Sequence, residues 1–443
     1  MSLAARLRLP TTATAPFCPS EVEGQIVVPP GAPLSARMAR FAGPGLLVAV
    51  GYMDPGNWAT DIAAGSGYGF DLLFVVVAAS LAAILLQSLA LRLGLASGLD
   101  LAQACRRRYG RPVAIGLWAL AEIAIVATDV AEVLGGALAI KLLLGLPLWA
   151  GILLTACDML LVIGLKGRGF RQVEAIVAAL VATIALCFLL ELLIVPPDPA
   201  ALWHGLWPDA GRLAQPGALA IAVGIVGATV MPHNLYLHSS IVQTRRVSGG
   251  EAGRRSAIRI ANIDSAMSLL LAMLVNGAIL TLAAGAFHAT GHVSVTGIDD
   301  AYRLLSPITG AKAAALFFGI ALLASGQSST FTGTIAGQVV LEGFLKLKIP
   351  CWQRRIITRL IAIVPAMAGV IVWGDDGVGP MLVLSQIVLS LQLPFAIWPL
   401  IRTAGDRAIM GSLAAGAVAR GGAWLIFAVI SAANLWLLSD LFG

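Results

Sequence analysis

Apolar runs of about twenty residues recur along nearly the whole of this chain, and no water-soluble fold could bury so many of them. Such runs read as membrane-spanning helices, because a helix satisfies its own backbone polar groups inside lipid. Composition agrees. Of 443 residues, 58% are hydrophobic and 12% are charged, where a soluble domain carries about a quarter charged. Eleven spans are predicted, at about 42–68, 71–95, 113–142, 147–165, 173–195, 215–244, 259–288, 311–345, 354–374, 380–401 and 422–441. Residues 1–40 contain Pro29, Pro30 and Pro33 and no apolar core segment, so they read as a flexible tail and not as a cleavable signal peptide. Cys18, Cys105, Cys157, Cys187 and Cys351 form no CxxC or Cys/His cluster, which argues against a disulfide framework or a zinc site.

The positive charges sort by side. With a cytoplasmic N-terminus, alternate loops hold 25 of the 29 Lys and Arg, among them Arg106–Arg108, Arg245, Arg246, Arg254, Arg255 and Arg259. The opposite side keeps Lys141, Arg212, Arg303 and Lys312, and its loops carry Asp198, Asp209, Asp299, Asp300, Asp375 and Asp376. This is the positive-inside pattern, with the C-terminus outside. The pI of about 9.3 is therefore a topology signal and implies no nucleic-acid partner.

Two spans are interrupted. The first contains Gly51-Tyr52-Met53-Asp54-Pro55-Gly56-Asn57, and the sixth contains Gly227-Ala228-Thr229-Val230-Met231-Pro232-His233. A Pro inside a helix removes a hydrogen bond and clashes with the preceding turn, so each site should unwind near mid-membrane. The breaks lie five spans apart. An odd offset inverts the second set of five relative to the first, which is the pattern of inverted-repeat secondary transporters with substrate held between the breaks. The repeats would cover about 42–195 and 215–401, with about 422–441 as an extra helix. Simple proline kinks would explain the interruptions too. They would not explain why both breaks carry ionisable or metal-capable side chains.

The breaks offer a carboxylate (Asp54), an amide (Asn57), a thioether (Met231), the nearby His233, and carbonyls freed by unwinding, chiefly those of Gly51 and Ala228. The first halves of both spans end there and present negative dipole ends. Every one of these features suits a cation. Sulfur disfavours Mg²⁺ and Ca²⁺ and accepts borderline ions such as Mn²⁺, Fe²⁺, Co²⁺ and Zn²⁺. Apolar packing remains the competing explanation for a methionine in a membrane helix.

Asp54-Pro55-Gly56-Asn57 paired with Met231-Pro232-His233 strongly resembles the Nramp family of divalent-metal transporters. Gly326-Gln327-Ser328-Ser329-Thr330-Phe331-Thr332-Gly333 in the eighth span is also similar to a family signature. The resemblance covers about residues 40–440, and the eleven-span form looks like the bacterial proton-coupled manganese-transport branch. It implies an all-α, LeuT-like fold in the inner membrane, with metal ligation by Asp54, Asn57, Met231 and the carbonyl of Ala228, and in other states that of Gly51. Some members have Ala at the position of Gly51, a difference expected to cost a backbone ligand little. Gln386 resembles an additional polar contact of the family. Metal is then the substrate and H⁺ the coupling ion, with no cofactor.

Span 3 holds Glu122, Asp129 and Glu132 in an otherwise apolar helix. At 100° per residue they share one broad face and rise about 15 Å. Acids at membrane depth mark ion or proton pathways. A structural network with arginines is the alternative, and Arg354 and Arg355 at the start of span 9 are candidate partners. His233 titrates near neutral pH when unperturbed. His238 lies about 140° further round the helix, so the two are no i,i+4 zinc pair. The family resemblance implies a proton route through Asp54, Asp129, Glu132, His233 and Arg355, with His238 a lesser member. Asp158, Glu191 and Asp264 are expected to serve hydrogen bonding or helix ends.

Other functions fit less well. An organic-solute symporter would present helix N-termini and open N–H groups instead of Asp54 facing Met231. A magnesium carrier would replace the thioether. A membrane metalloenzyme would need a set such as HExxH, and an ATP-driven pump a GxxxxGK[ST] loop; neither is present. A metal channel is the alternative hardest to separate from a transporter.

Overall fold

The computed structural model describes residues 24, 26–28, 33–157, 170–293, 295, 297–310, 312–347, 349 and 351–442. Residues 1–23, with most of the predicted tail, and span 4 beyond residue 157, including Asp158, lie outside the described residues. So does the side chain of Arg355.

The described chain is almost entirely helical. The helices that matter here are α1 (Leu34–Phe41), α2 (Pro44–Gly51), α3 (Pro55–Tyr68), α4 (Leu73–Ser97), α5 (Arg111–Leu144), α6 (Phe170–Ile194), α7 (Ala218–Val230), α8 (Pro232–Ile241), α9 (Gly250–Ala286), α10 (Lys312–Leu345), α11 (Cys351–Trp373), α12 (Val378–Ala404) and α13 (Ala417–Phe442). Among the described residues, nine helical stretches are long and apolar enough to cross a membrane. Span 1 is not one of the nine because its break leaves halves of 8 and 14 residues. Of span 4, only Leu148–Thr155 is described as a helix.

The interrupted helices sit at the centre. α3 and α2 pack on α9, α7 packs on α12, and α5 packs on α10 and α12. The peripheral α11 and α13 carry the largest outward apolar surfaces, including Val364, Ile371, Leu425 and Leu435. Outward apolar and inward small or polar residues are the arrangement lipid demands.

Two sequence expectations need correction. The span 7 helix begins at Gly250, nine residues before the predicted start, because a polar helical extension precedes its apolar run. The chain before residue 41 is also not all flexible tail. Ile26–Val27 forms a two-residue strand parallel to Arg245–Arg246, and Leu34–Phe41 is a helix whose Phe41 is fully buried. Both elements are too short for a twenty-residue apolar window to register.

Asp264 on α9 accepts hydrogen bonds from the amides of Gly43 (3.3 Å) and Gly45 (2.8 Å), which start α2. Arg245 donates to the carbonyls of Phe41 and Ala42 and pairs with Glu174 at 2.6 Å. Of the two roles expected for Asp264, structural hydrogen bonding is the one realised: it lies inside α9 and bonds across the bundle to the start of the half-helix that leads into the first break.

Candidate functional site

Each break follows from one missing donor. In an α-helix the carbonyl of Gly51 would accept from residue 55, and that of Ala228 from residue 232. Both donors are proline, so both carbonyls lose their intrahelical partners. The side chain of Asn57 reaches both: Nδ2 lies 3.2 Å from the Ala228 oxygen and 3.5 Å from the Gly51 oxygen. It also donates to Asp54 Oδ1 at 2.6 Å.

Asp54 caps α3, its Oδ1 accepting the Asn57 backbone N–H at 2.8 Å. Its other oxygen, Oδ2, is buried without a hydrogen-bond partner among the described residues. Asp54, Ala228 and Met231 are 0% exposed. Leaving a buried acceptor unpaired costs about 1–3 kcal/mol, more when it is charged. Such an atom is a place for a cation or a proton.

Met231 joins α7 to α8 with φ 36°, one of two described non-glycine residues at positive φ. A side chain held there is strained by about 1–2 kcal/mol. Asn234 Nδ2 approaches its sulfur at 3.4 Å and the Val48 carbonyl at 3.5 Å. A methyl on Gly51 would overlap Asn234 Nδ2 and come within 3.3 Å of the Met231 sulfur. The expectation that alanine costs little here is therefore revised: the ligand would be backbone, but the amide of Asn234 occupies the space. Gln386 is also brought in. Its amide rests so closely on Gly56 that no Cβ would fit between them. Its Nε2 donates to Ser385 Oγ at 2.8 Å, and its Oε1 is buried without a partner among the described residues.

The span 3 acids divide. Asp129 and Glu132 both face Gly333 of α10, where a Cβ would lie 3.6 Å from Asp129 Oδ1 and 3.1 Å from Glu132 Oε1. Glu132 pairs with Arg359 (3.8 Å), and Arg359 Nη2 also reaches Thr330 Oγ1 at 3.5 Å. Glu122 instead receives both contacts of Arg354 Nη2, at 2.8 and 2.9 Å, and the indole N–H of Trp118 at 3.0 Å. His233 Nδ1 lies 3.5 Å from Thr128 Oγ1, beside Asp129. His238 turns away from this group. Its Nδ1 meets Gln87 Oε1 at 2.9 Å, and Gln87 Nε2 donates to Tyr52 Oη at 2.8 Å.

Sequence reasoning missed several participants. Asn276 of α9 donates to the Tyr52 carbonyl (2.8 Å) and to Asn57 Oδ1 (3.3 Å), so it sets which way the Asn57 amide faces. The sequence reading assigns no site role to Arg359, Thr128 or Asn234 either. Their shared signal was a polar group within an apolar span, which at that depth needs a partner.

One carboxylate, two released carbonyls, an amide and a thioether converge where two helices break. Among the described residues no three His, Cys, Asp or Glu side chains cluster to hold a metal. Any cation here would be held by mixed, mostly neutral donors around a single charge.

Residues 45–440 match the sequence profile of Nramp, described as natural resistance-associated macrophage protein-like. The chain is 59% identical over 431 residues to a divalent metal cation transporter MntH of Ralstonia nicotianae, covering 97% of each chain. Its structure is similar to that of the manganese transporter of Eremococcus coleocola in complex with an aromatic bis-isothiourea substituted compound, with TM-score 0.88 and 36% identity, covering 95% of this chain and 90% of that one. It also aligns with Mhp1, a nucleobase-cation-symport-1 family transporter, at TM-score 0.59 and 16% identity, over 96% of this chain and 92% of that one, a likeness of fold alone.

Proposed function

Because this chain belongs to the Nramp family, whose members are transporters and not enzymes, we propose that it imports divalent transition-metal ions, Mn²⁺ and also Fe²⁺, across the bacterial inner membrane in symport with protons. The observation that carries the reading is the buried Oδ2 of Asp54, without a hydrogen-bond partner among the described residues, beside the carbonyls of Gly51 and Ala228. The architecture is two inverted repeats of five spans plus a final helix, with the N-terminus cytoplasmic and the C-terminus outside. Adding the two halves of span 1 and the span that begins at Leu148 to the nine long helices supports the count of eleven.

The metal as substrate is held by Asp54, Asn57, Met231 and the Ala228 carbonyl, with the Gly51 carbonyl contributing in other states and Gln386 as an additional polar contact. In this structure the amide N–H₂ of Asn57 takes the place of the cation, donating toward Asp54, Gly51 and Ala228. Metal arrival requires that amide to turn and present Oδ1, releasing the bond from Asn276. The thioether selects against Mg²⁺ and Ca²⁺, which disfavours the magnesium reading. An organic-solute symporter is disfavoured because the converging groups are oxygen and sulfur donors.

Protons leave the site sideways. Asp54 gives up its proton as the metal binds, and His233, Asp129 and Glu132 carry it along α5 toward the arginine-rich face. Arg359 holds Glu132, and Arg354 holds Glu122 nearer that face. Arg355 belongs to this group by the family resemblance. His238, bonded to Gln87 and through it to Tyr52, contributes at the span 1 break instead. Competition among Mn²⁺, Fe²⁺, Mg²⁺ and Ca²⁺ for uptake into proteoliposomes under an imposed proton gradient tests the reading. Uptake that ignores the gradient, or that favours Mg²⁺, would reject it.

A further inference from the structure

Two cavities open on the arginine-rich face, and their charges differ in kind. One, of about 530 Å³, is walled by Arg171, Glu174 and Asp264 among apolar residues such as Leu46 and Met267. Its charges are matched internally. Glu174 receives Arg171 at 3.2 Å and Arg245 at 2.6 Å, and Asp264 caps α2. Nothing there asks for a ligand.

The other, of about 620 Å³, lies between the end of α4, the start of α9 and the connection from α12 to α13. Arg92, Arg255 and Arg259 line it together with Asn262 and Ser412, and among the described residues no acid lines it. The counter-charge at its rim is Glu251, which pairs with Arg255 at 3.0 Å from one turn away on α9. Arg92 is held in place by donating to the Leu413 carbonyl at 3.2 Å. Arg259 forms no hydrogen bond or ion pair among the described residues. Three cations against one rim acid leave the cavity positive, and basic pockets between spans on this face suit anionic headgroups.

The lining also has a direction. Along one stripe of α9 it runs Arg255, Arg259, Asn262, Ile263, Ala266, from charged to apolar over about 16 Å of helix rise. Ile258 and Ala414 add apolar wall. Phosphate at one end and hydrocarbon at the other is the polarity order of a phospholipid. A free phosphate would match only the charged half. We propose that this cavity is a binding site for an anionic phospholipid, its phosphodiester headgroup held by Arg92, Arg255 and Arg259 and its first acyl carbons lying against Ile263 and Ala266. The site does not depend on what the transporter carries.

The test uses the full chain, purified and stripped of lipid in detergent. Native mass spectrometry then compares retention of phosphatidylglycerol with that of phosphatidylcholine of the same chain length. The parent should prefer phosphatidylglycerol by about tenfold in apparent affinity, and salt should weaken that preference. The double variant R255Q/R259Q should lose it, while the charge-keeping pair R255K/R259K should retain it. Thermal stabilisation by phosphatidylglycerol should vanish in the glutamine pair alone. Equal retention of the two lipids by the parent, or an undiminished preference in the glutamine pair, overturns the proposal. Displacement of bound phosphatidylglycerol by 10 mM inorganic phosphate, a concentration of about the order that saturates a millimolar phosphate site, would assign the cavity to a soluble anion and overturn it as well.

Discussion

The two helix breaks share a cause and differ in backbone conformation and capping. Each begins where a proline removes the donor for a carbonyl four residues earlier. In span 1 the break is relaxed: Asp54 has an ordinary extended backbone and caps α3 with its own side chain. In span 6 no side chain caps α8, and Met231 is held at φ 36°. One break contributes charge at little conformational cost. The other contributes sulfur and stores strain. Under the proposed function, a symmetric pair of interruptions divides the site's tasks, with attraction of the cation on one side and discrimination among cations on the other.

The sharpest way to break this division is to remove the charge. Asp54→Asn keeps a capping side chain, so the protein should remain folded while metal uptake into proteoliposomes falls by at least about a hundredfold, beyond the usual loss for a residue outside the ligand shell. Uptake near the parental rate would end the assignment of charge to span 1.

Removing the thioether should have the next largest effect. Met231→Ala should weaken Mn²⁺ uptake by about tenfold and raise the share of Ca²⁺ or Mg²⁺ transported. A variant with the parental Mn²⁺ preference would show that sulfur is not the filter. Strain is tested separately. Met231→Gly should melt higher than Met231→Ala, by about 1 kcal/mol in unfolding free energy, because glycine accepts positive φ. Equal stability would mean that the span 6 break is as relaxed as that in span 1.

Both breaks can next be set against the span 3 acids. Glu132→Gln and Asp129→Asn should impair metal-driven acidification of liposomes while changing calorimetric metal affinity by less than about threefold. An affinity loss equal to that of Asp54→Asn would move these acids into the metal site. The smallest effect is expected at Gly51→Ala. The added methyl must displace Asn234, an overpacking cost of about 1 kcal/mol, read as a lower melting temperature with transport reduced about twofold.

Much of this was legible in residue order because its causes are local. Twenty apolar residues need lipid whatever their neighbours. Pro55 and Pro232 lack an N–H in any context, so both breaks, and the carbonyls of Gly51 and Ala228, can be named from the chain alone. Helical periodicity likewise places Glu122, Asp129 and Glu132 on one face. That face is shared, but its acids have different partners: Arg354 holds Glu122 and Arg359 holds Glu132. Periodicity orients a side chain and does not say which helix will stand opposite.

The sequence by itself determined the membrane-spanning helices, the side on which arginine gathers, the two points where helices fail, and the donor types collected there. Tertiary structure alone decided that Asn57 meets the carbonyl of Ala228, 171 residues away, that Asn276 sets the facing of that amide, and that Asn234 fills the space beside Gly51. It also decided that residues 26–27 pair with 245–246. The physical reason is the range of the forces. A missing donor and a 3.6-residue period act within one turn of chain, whereas these pairings depend on how closely whole helices approach, which small residues such as Gly51, Gly56 and Gly333 permit only once the bundle has assembled.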